Sequence, residues 1–169
     1  MEWSKIEITS NRLLLTPFSA HDADEAYCCI TPTLTRFMAW DPPATRGEFD
    51  QVWQSWLLAI QNGLELTFAI RALSSKHFLG VAALHHAQTP TPELGIWIRE
   101  DCHGHGYGQE AVTALATWAT AFFKPTSFIY PVAEENHASR RIAEHLGGVV
   151  FDRKVERKYT SVIYRIPPT

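Results

Sequence analysis

Three alternate glycines in the run His103-Gly104-His105-Gly106-Tyr107-Gly108 stand between an apolar stretch of strand character and an amphipathic stretch of helical character. Glycine is the residue that turns the backbone left-handed without steric cost. At a helix start such a turn gathers several main-chain N–H groups into a concave donor set, a form suited to anionic phosphate. A tight strand-to-helix connection with no ligand would use the same glycines. Two familiar phosphate motifs are excluded by the neighbouring residues. A P-loop needs Lys-Ser/Thr after its last glycine, where Gln109-Glu110 stand, and the dinucleotide fingerprint needs glycine at 109.

The flanking pattern predicts α+β architecture. Arg12–Pro17 reads as a buried strand. Ser19-Ala20-His21-Asp22 opens a helix that runs toward Ile30, with Pro32 as its stop. Met38–Pro43 is loop. Thr45 to Glu48 has the spacing of a capping box, and Phe49, Val52, Trp53, Trp56, Leu57 and Ile60 follow at helical intervals until Asn62-Gly63. Strands are expected at 66–70, 78–84, 93–98 and 128–132. Ala111, Leu115, Trp118 and Phe122 form one stripe of a helix after the glycine turn. A helix from about His137 to Leu146 and strands near Val149–Phe151 and Ser161–Ile166 complete the chain.

Composition narrows the class. The 169 residues suffice for one domain and would bury roughly 70% of their unfolded surface without disulfides or metal. With 46% hydrophobic and 20% charged residues, the chain reads as globular. The net charge of −3 argues against a nucleic-acid surface. Cys28, Cys29 and Cys102 form no framework, which points to a reducing compartment and a cytoplasmic location. Neither a signal-peptide pattern nor an apolar run long enough to span a membrane is expected.

The segment 103–108 resembles the pyrophosphate-binding signature Q/R-x-x-G-x-G/A of the GNAT acetyltransferases, with His103, Gly106 and Gly108 in the marked places and His103 departing from the usual Gln or Arg. Asn11-Arg12-Leu13-Leu14-Leu15 with Asp22-Ala23 resembles the start of the RimJ/RimL subgroup, which acetylates ribosomal-protein N-termini. Glu93–Ile98 resembles its fourth strand. Glu135-Asn136-His137-Ala138-Ser139 with Leu146-Gly147 resembles its "N-x-x-S … L-G-F" helix, with Gly148 in place of Phe.

The resemblance implies a single GNAT domain over residues 1–169, with a mixed sheet splayed between its fourth and fifth strands and helices on both faces. It also implies acetyl-CoA as co-substrate, with no metal, and acetyl transfer to a primary amine by direct attack on the thioester. The backbone of Ile96, Trp97 and Ile98 would pair with the pantetheine arm, and an N–H of that strand would polarise the thioester carbonyl. His103, Gly104, His105, Gly106, Tyr107 and Gly108 would hold the diphosphate. Asn136 would bond near the pantetheine, and Arg140 or Arg141 would meet nucleotide phosphates. Glu93 is the first candidate for general base, with His85 and His86 behind it. A tyrosine that many relatives use as acid falls at Ala143, so Ser139 takes that role. Trp40 is the substrate contact, while Trp53 and Trp56 have core spacing.

Three acceptors remain open: a protein N-terminus, a small amine such as a polyamine or antibiotic, and an aminoacyl group on a nucleic-acid carrier. The resemblance favours the first; deprotonation at pH 7 costs about 1.4 kcal/mol for an α-amine and about 4.6 kcal/mol for a lysine, so a general base matters more for a lysine. A zinc hydrolase built on His85, His86, Cys102, His103 and His105 lacks any H-E-x-x-H or paired C-x-x-C. A non-catalytic acyl-CoA-binding module on the same fold is the other alternative. A homodimer is compatible with the resemblance.

Overall fold

The computed structural model describes residues 2–169. Eight strands form one mixed sheet: β1 (Ile8–Thr9), β2 (Leu13–Pro17), β3 (Leu66–Ala72), β4 (Phe78–His85), β5 (Glu93–Ile98), β6 (Phe128–Ala133), β7 (Val149–Val155) and β8 (Thr160–Ile166). Their spatial order is β1-β2-β3-β4-β5-β6-β8-β7. Neighbours are antiparallel throughout, except that β5 and β6 run parallel and meet at a single pair, Glu93 with Ile129. Beyond that pair the two strands part, which is the splay that the family resemblance implies.

Helices cover both faces, and the residues of β5 show why. Leu94 and Ile98 sit in one apolar cluster with Ala111, Val112 and Leu115 of α4 (Tyr107–Phe123). Trp97 points the other way, into a cluster with Ala26 of α1 (Ala23–Cys29) and Phe49 and Ile60 of α3 (Arg46–Asn62). A strand buried on both faces reads as a nearly continuous apolar run, as Leu94–Ile98 does.

Several local expectations need correction. Ser19 and Asp22 do form a capping box, but it opens a 3-10 turn (Ala20–Asp22) before α1 begins. Pro32, expected as a stop, also starts a further helix, α2 (Pro32–Thr35), where its missing N–H costs nothing and Thr31 Oγ1 accepts the Leu34 N–H at 3.1 Å. At α3, Thr45 Oγ1 accepts the Glu48 N–H, whereas the Glu48 carboxylate takes the N–H of Ala44 rather than that of Thr45. The buried face of α4 is Ala111, Val112, Leu115, Ala116 and Ala119, mostly small residues that let the helix lie close to the sheet. Trp118 is half-buried and Phe122 exposed, and both join Trp3 and Phe123 in an aromatic cluster at the helix end. The two-residue β1 has no sequence signal of its own, and β7 runs on to Val155.

Candidate active site

The glycine turn is built as its sequence demands. Gly104 (φ +80°) and Gly106 (φ +77°) are both left-handed, and Gly106 caps α4. Among the described residues the first N–H after the turn with a main-chain acceptor is that of Glu110, bonded to the Gly106 carbonyl at 3.1 Å. The N–H groups from 104 to 109 therefore stay open at the positive end of a 17-residue helix, those of 104–106 in an exposed turn and those of 107–109 in the half-buried first turn.

A residue far away in sequence braces this loop. Arg12 donates from Nη1 to the His105 carbonyl at 3.0 Å, and its guanidinium lies 4.6 Å from the centre of the Tyr107 ring. The Glu110 carboxylate accepts the Ser10 hydroxyl (2.6 Å), the Arg12 N–H (2.7 Å) and Arg12 Nε (2.7 Å). Burial raises the Glu110 pKa, but these donors and the guanidinium charge outweigh it and hold the carboxyl below its ordinary value.

The gap between β5 and β6 leads away from this loop. Arg99 donates its N–H to Leu79, and the antiparallel register pairs Trp97 with Val81. By alternation, the main-chain groups of Trp97 face β4, and those of Ile96 and Ile98 face the gap. His103 Nε2–H donates to the Ile98 carbonyl at 2.6 Å. Of the three residues expected to pair with an extended arm, Ile96 thus has both groups directed into the gap. Ile98 has only its N–H free, and Trp97 has neither.

At the gap's closed end stands Glu93, half-buried and opposite His85 in register. His85 Nδ1 lies 2.7 Å from Glu65 Oε2, and the other Glu65 oxygen accepts the His86 N–H at 3.0 Å.

On the β6 side, α5 (His137–His145) begins with Asn136, whose side chain accepts the Ser139 N–H at 3.2 Å. Asn136 Oδ1 is therefore occupied as a helix cap. Ser139 Oγ lies 2.6 Å from the hydroxyl of Tyr130. Tyr130 is buried, and burial pushes its pKa up to about 12 against the lowering effect of the Ser139 bond. Sequence reasoning misses this tyrosine because it seeks one at 143, within the same helix. Ala143 is fully buried, and the hydroxyl comes instead from the neighbouring strand. Gly148 has a steric reason: a Cβ there would stand 2.7 Å from the Ala143 carbonyl oxygen.

The two arginines separate. Arg140 is tied back to the Tyr164 hydroxyl (2.9 Å) and the Glu134 carbonyl (3.1 Å). Arg141 is exposed and has no hydrogen bond or ion pair among the described residues.

At the loop after α2, Lys158 Nζ donates to the carbonyls of Thr35 and Trp40, each at 2.8 Å, and pairs with Asp41 at 3.1 Å. Arg157 also pairs with Asp41. The loop carrying Trp40, itself 39% exposed, is thereby tied to the β7–β8 turn. Trp53 and Trp56 are half-buried and pack against the core: Trp53 Nε1 donates to Asp50, and Trp56 meets Phe18 edge-on at 5.0 Å. Among the described residues no group of three or more His, Cys, Asp or Glu side chains could hold a metal ion, and no helix is long and apolar enough to cross a membrane.

Comparison with known proteins agrees with this architecture. The RimL ribosomal L7/L12 α-N-protein acetyltransferase in complex with coenzyme A superposes with a TM-score of 0.85 at 16% identity, covering 96% of this chain and 98% of that one. The Salmonella typhimurium acetyl transferase that modifies the N-terminal serine of L7/L12 gives 0.83 at 16%, covering 97% and 99%. Spermidine N-acetyltransferase from Vibrio cholerae, in complex with CoA and spermine, gives 0.81 at 15%, covering 94% and 97%. At these identities the likeness is one of fold. No curated protein matches the sequence. The family model described as the acetyltransferase (GNAT) domain matches residues 12–149, a span that holds the braced glycine turn, the splayed strands and α5. The chain belongs to the GNAT acetyltransferases, enzymes whose acetyl donor is acetyl-CoA.

Proposed function

We propose that this enzyme acetylates the α-amine of a protein N-terminus, working as one domain over residues 1–169 in the cytoplasm. The observation that carries the reading is the gap between β5 and β6, closed only at Glu93–Ile129 and opening toward the donor-rich turn at 103–108. A diphosphate on the N–H groups of 104–109 sends the pantetheine into that gap, and Arg141 meets the remaining nucleotide phosphate. Asn136 fixes the first turn of α5 beside the arm. The main chain of Ile96 pairs with the pantetheine amides, and the Ile96 or Ile98 N–H polarises the thioester carbonyl.

The neutral amine attacks the carbonyl carbon, the C–S bond breaks, and the amine's proton passes to a base on the face where Glu93 and His85 stand as register partners. A phenol as hard to ionise as Tyr130 stays protonated and donates a hydrogen bond to Ser139 Oγ, which leaves the Ser139 hydroxyl free to donate a hydrogen bond to the departing thiolate without losing its proton. Trp40 contacts the acceptor from the loop opposite.

The RimL neighbours are described as acting on ribosomal-protein N-termini, which supports an α-amine. The spermine-bound neighbour supports a polyamine as the second reading, and carboxylates at 65 and 93 suit a cation. Mass-detected acetylation across N-terminal peptides, polyamines, aminoglycosides and aminoacyl conjugates separates them. Peptide α-amines are expected to react fastest. Turnover confined to polyamines would replace the first reading with the second, and thiol release with no amine at all would remove both.

A further inference from the structure

Resting on the transfer reading, we propose that His85, aligned by Glu65, is the general base, and that this pair selects α-amines over lysine side chains. Glu65 precedes β3, and His85 ends β4, so the pairing is a product of the fold rather than of sequence proximity.

The tautomer follows from the partners. A carboxylate only accepts, so the Nδ1 that lies 2.7 Å from Glu65 Oε2 carries the proton, and Nε2 holds the lone pair. Glu65 is itself held, through the His86 N–H at 3.0 Å and His86 Nδ1 at 3.2 Å. The free Nε2 is aimed across the sheet: it lies 3.5 Å from where a Cβ on residue 95 would be. Gly95 leaves that space empty. It neighbours Ile96, whose main chain faces the gap, and lies two residues from the pair that closes it. An arm entering from the 103–108 end brings its thioester tip to this closed end. Register puts the side chains of His85, Glu93 and Trp97 on the same face as α1 and α3, opposite to α4.

The titratable groups facing His85 are Glu65 before β3, His86 in the next turn and Glu93 across the ladder. Glu93 makes no side-chain hydrogen bond among the described residues, so nothing orients it as Glu65 orients His85. In the step, Nε2 takes the proton that the attacking nitrogen loses as the C–N bond forms, and Glu65 balances the imidazolium. Glu65 is a positioning residue. Imidazole as base suits an amine whose conjugate acid lies near neutrality. At pH 7 about one α-amine in ten is neutral, against about one lysine in 2,500.

The test uses a free-N-terminus peptide, and the same peptide α-acetylated with one internal lysine. In His85→Ala, kcat/KM for the first peptide is expected to fall about 10²–10⁴-fold. Its acid-side decline with pH should vanish, and added imidazole should restore part of the rate. Calorimetric affinity for coenzyme A should stay at the wild-type value, as a check on folding. Glu65→Gln should lower kcat while leaving KM for acetyl-CoA unchanged. Glu93→Gln should keep the acid limb. A His85→Ala enzyme that keeps both rate and limb overturns this proposal alone, whereas wild-type preference for the lysine peptide overturns the selectivity and the α-amine reading together. A wild type that binds coenzyme A yet acetylates no amine overturns the transfer reading together with it.

Discussion

The loop that receives the coenzyme and the loop that faces the acceptor are both exposed, yet they are held by different means. Residues 103–108 present main chain. Their shape comes from two left-handed glycines, and their brace is Arg12, itself fixed by a Glu110 carboxylate that accepts three hydrogen bonds. Residues 36–43 present side chains. They are tied from outside by Lys158 and Arg157, which reach across from the β7–β8 turn to Trp40 and Asp41. Both braces contain a partly exposed ion pair, Arg12 with Glu110 and Lys158 with Asp41, worth about 0–1 kcal/mol; the first differs in the further donors on one carboxylate, the Ser10 hydroxyl and the Arg12 main-chain N–H. A family can keep the first loop constant and retune the second, and that division separates a shared donor from a variable acceptor.

Gly106→Val should break the coenzyme side most. A β-branched residue at φ +77° is strained by about 1–2 kcal/mol and would turn the N–H groups of 106–108 out of their shared direction. Losing one or two charge-assisted bonds predicts a drop of about 100-fold in coenzyme A affinity by calorimetry. An unchanged affinity would mean that side chains, and not main chain, hold the diphosphate. Glu110→Gln comes next, with about a tenfold loss, because it removes the brace and leaves the donors in place. Acid should mimic it. The Glu110 carboxyl titrates below its ordinary value in the fold, so its stabilising contribution is complete above the normal carboxylate range and is lost as pH falls through the lowered value. Coenzyme affinity of the wild type should therefore decline only in strong acid, and that decline should be absent in Glu110→Gln.

The same contrast explains what was legible in the sequence. The turn at 103–108, the strand 93–98 and Asn136–Ser139 could be read because each acts within a few residues and through the main chain, so glycine spacing and a capping Asn suffice. The braces could not. Arg12 reaches His105 and Glu110, Lys158 reaches Trp40, and Glu65 reaches His85, all across strand pairings that no local pattern announces. Tyr130 shows the same limit from another angle. Its position on β6 reads as one more apolar strand residue, and only the packing of α5 over that strand brings its hydroxyl to Ser139. Pro32 misleads in the opposite direction, since the same ring that ends one helix is suited to begin another.

Lys158→Met sharpens the comparison from the acceptor side. The substitution keeps the apolar stem and removes the ammonium that joins Thr35, Trp40 and Asp41, leaving the Trp40 carbonyl to water and the Thr35 carbonyl to the Met38 N–H. Because the buried Thr35 carbonyl keeps the Met38 N–H at 2.9 Å and Trp40 is exposed, the fold should lose little. The cost should show instead as loosened positioning of Trp40: a two- to fivefold rise in KM for a peptide acceptor, about 0.4–1 kcal/mol, with coenzyme A affinity unchanged. Raising the ionic strength from about 0.05 to 0.5 M should raise the wild-type acceptor KM in the same direction, since screening weakens exposed pairs, and should do less in the variant. The Lys158 and Arg157 hydrogen bonds lower the Asp41 pKa, so the tie is present above the ordinary carboxylate range and released as pH falls through the lowered value. A Lys158→Met enzyme whose coenzyme affinity falls while its acceptor KM stays put would show the two loops to be one mechanical unit, and the division drawn between them would have to be abandoned.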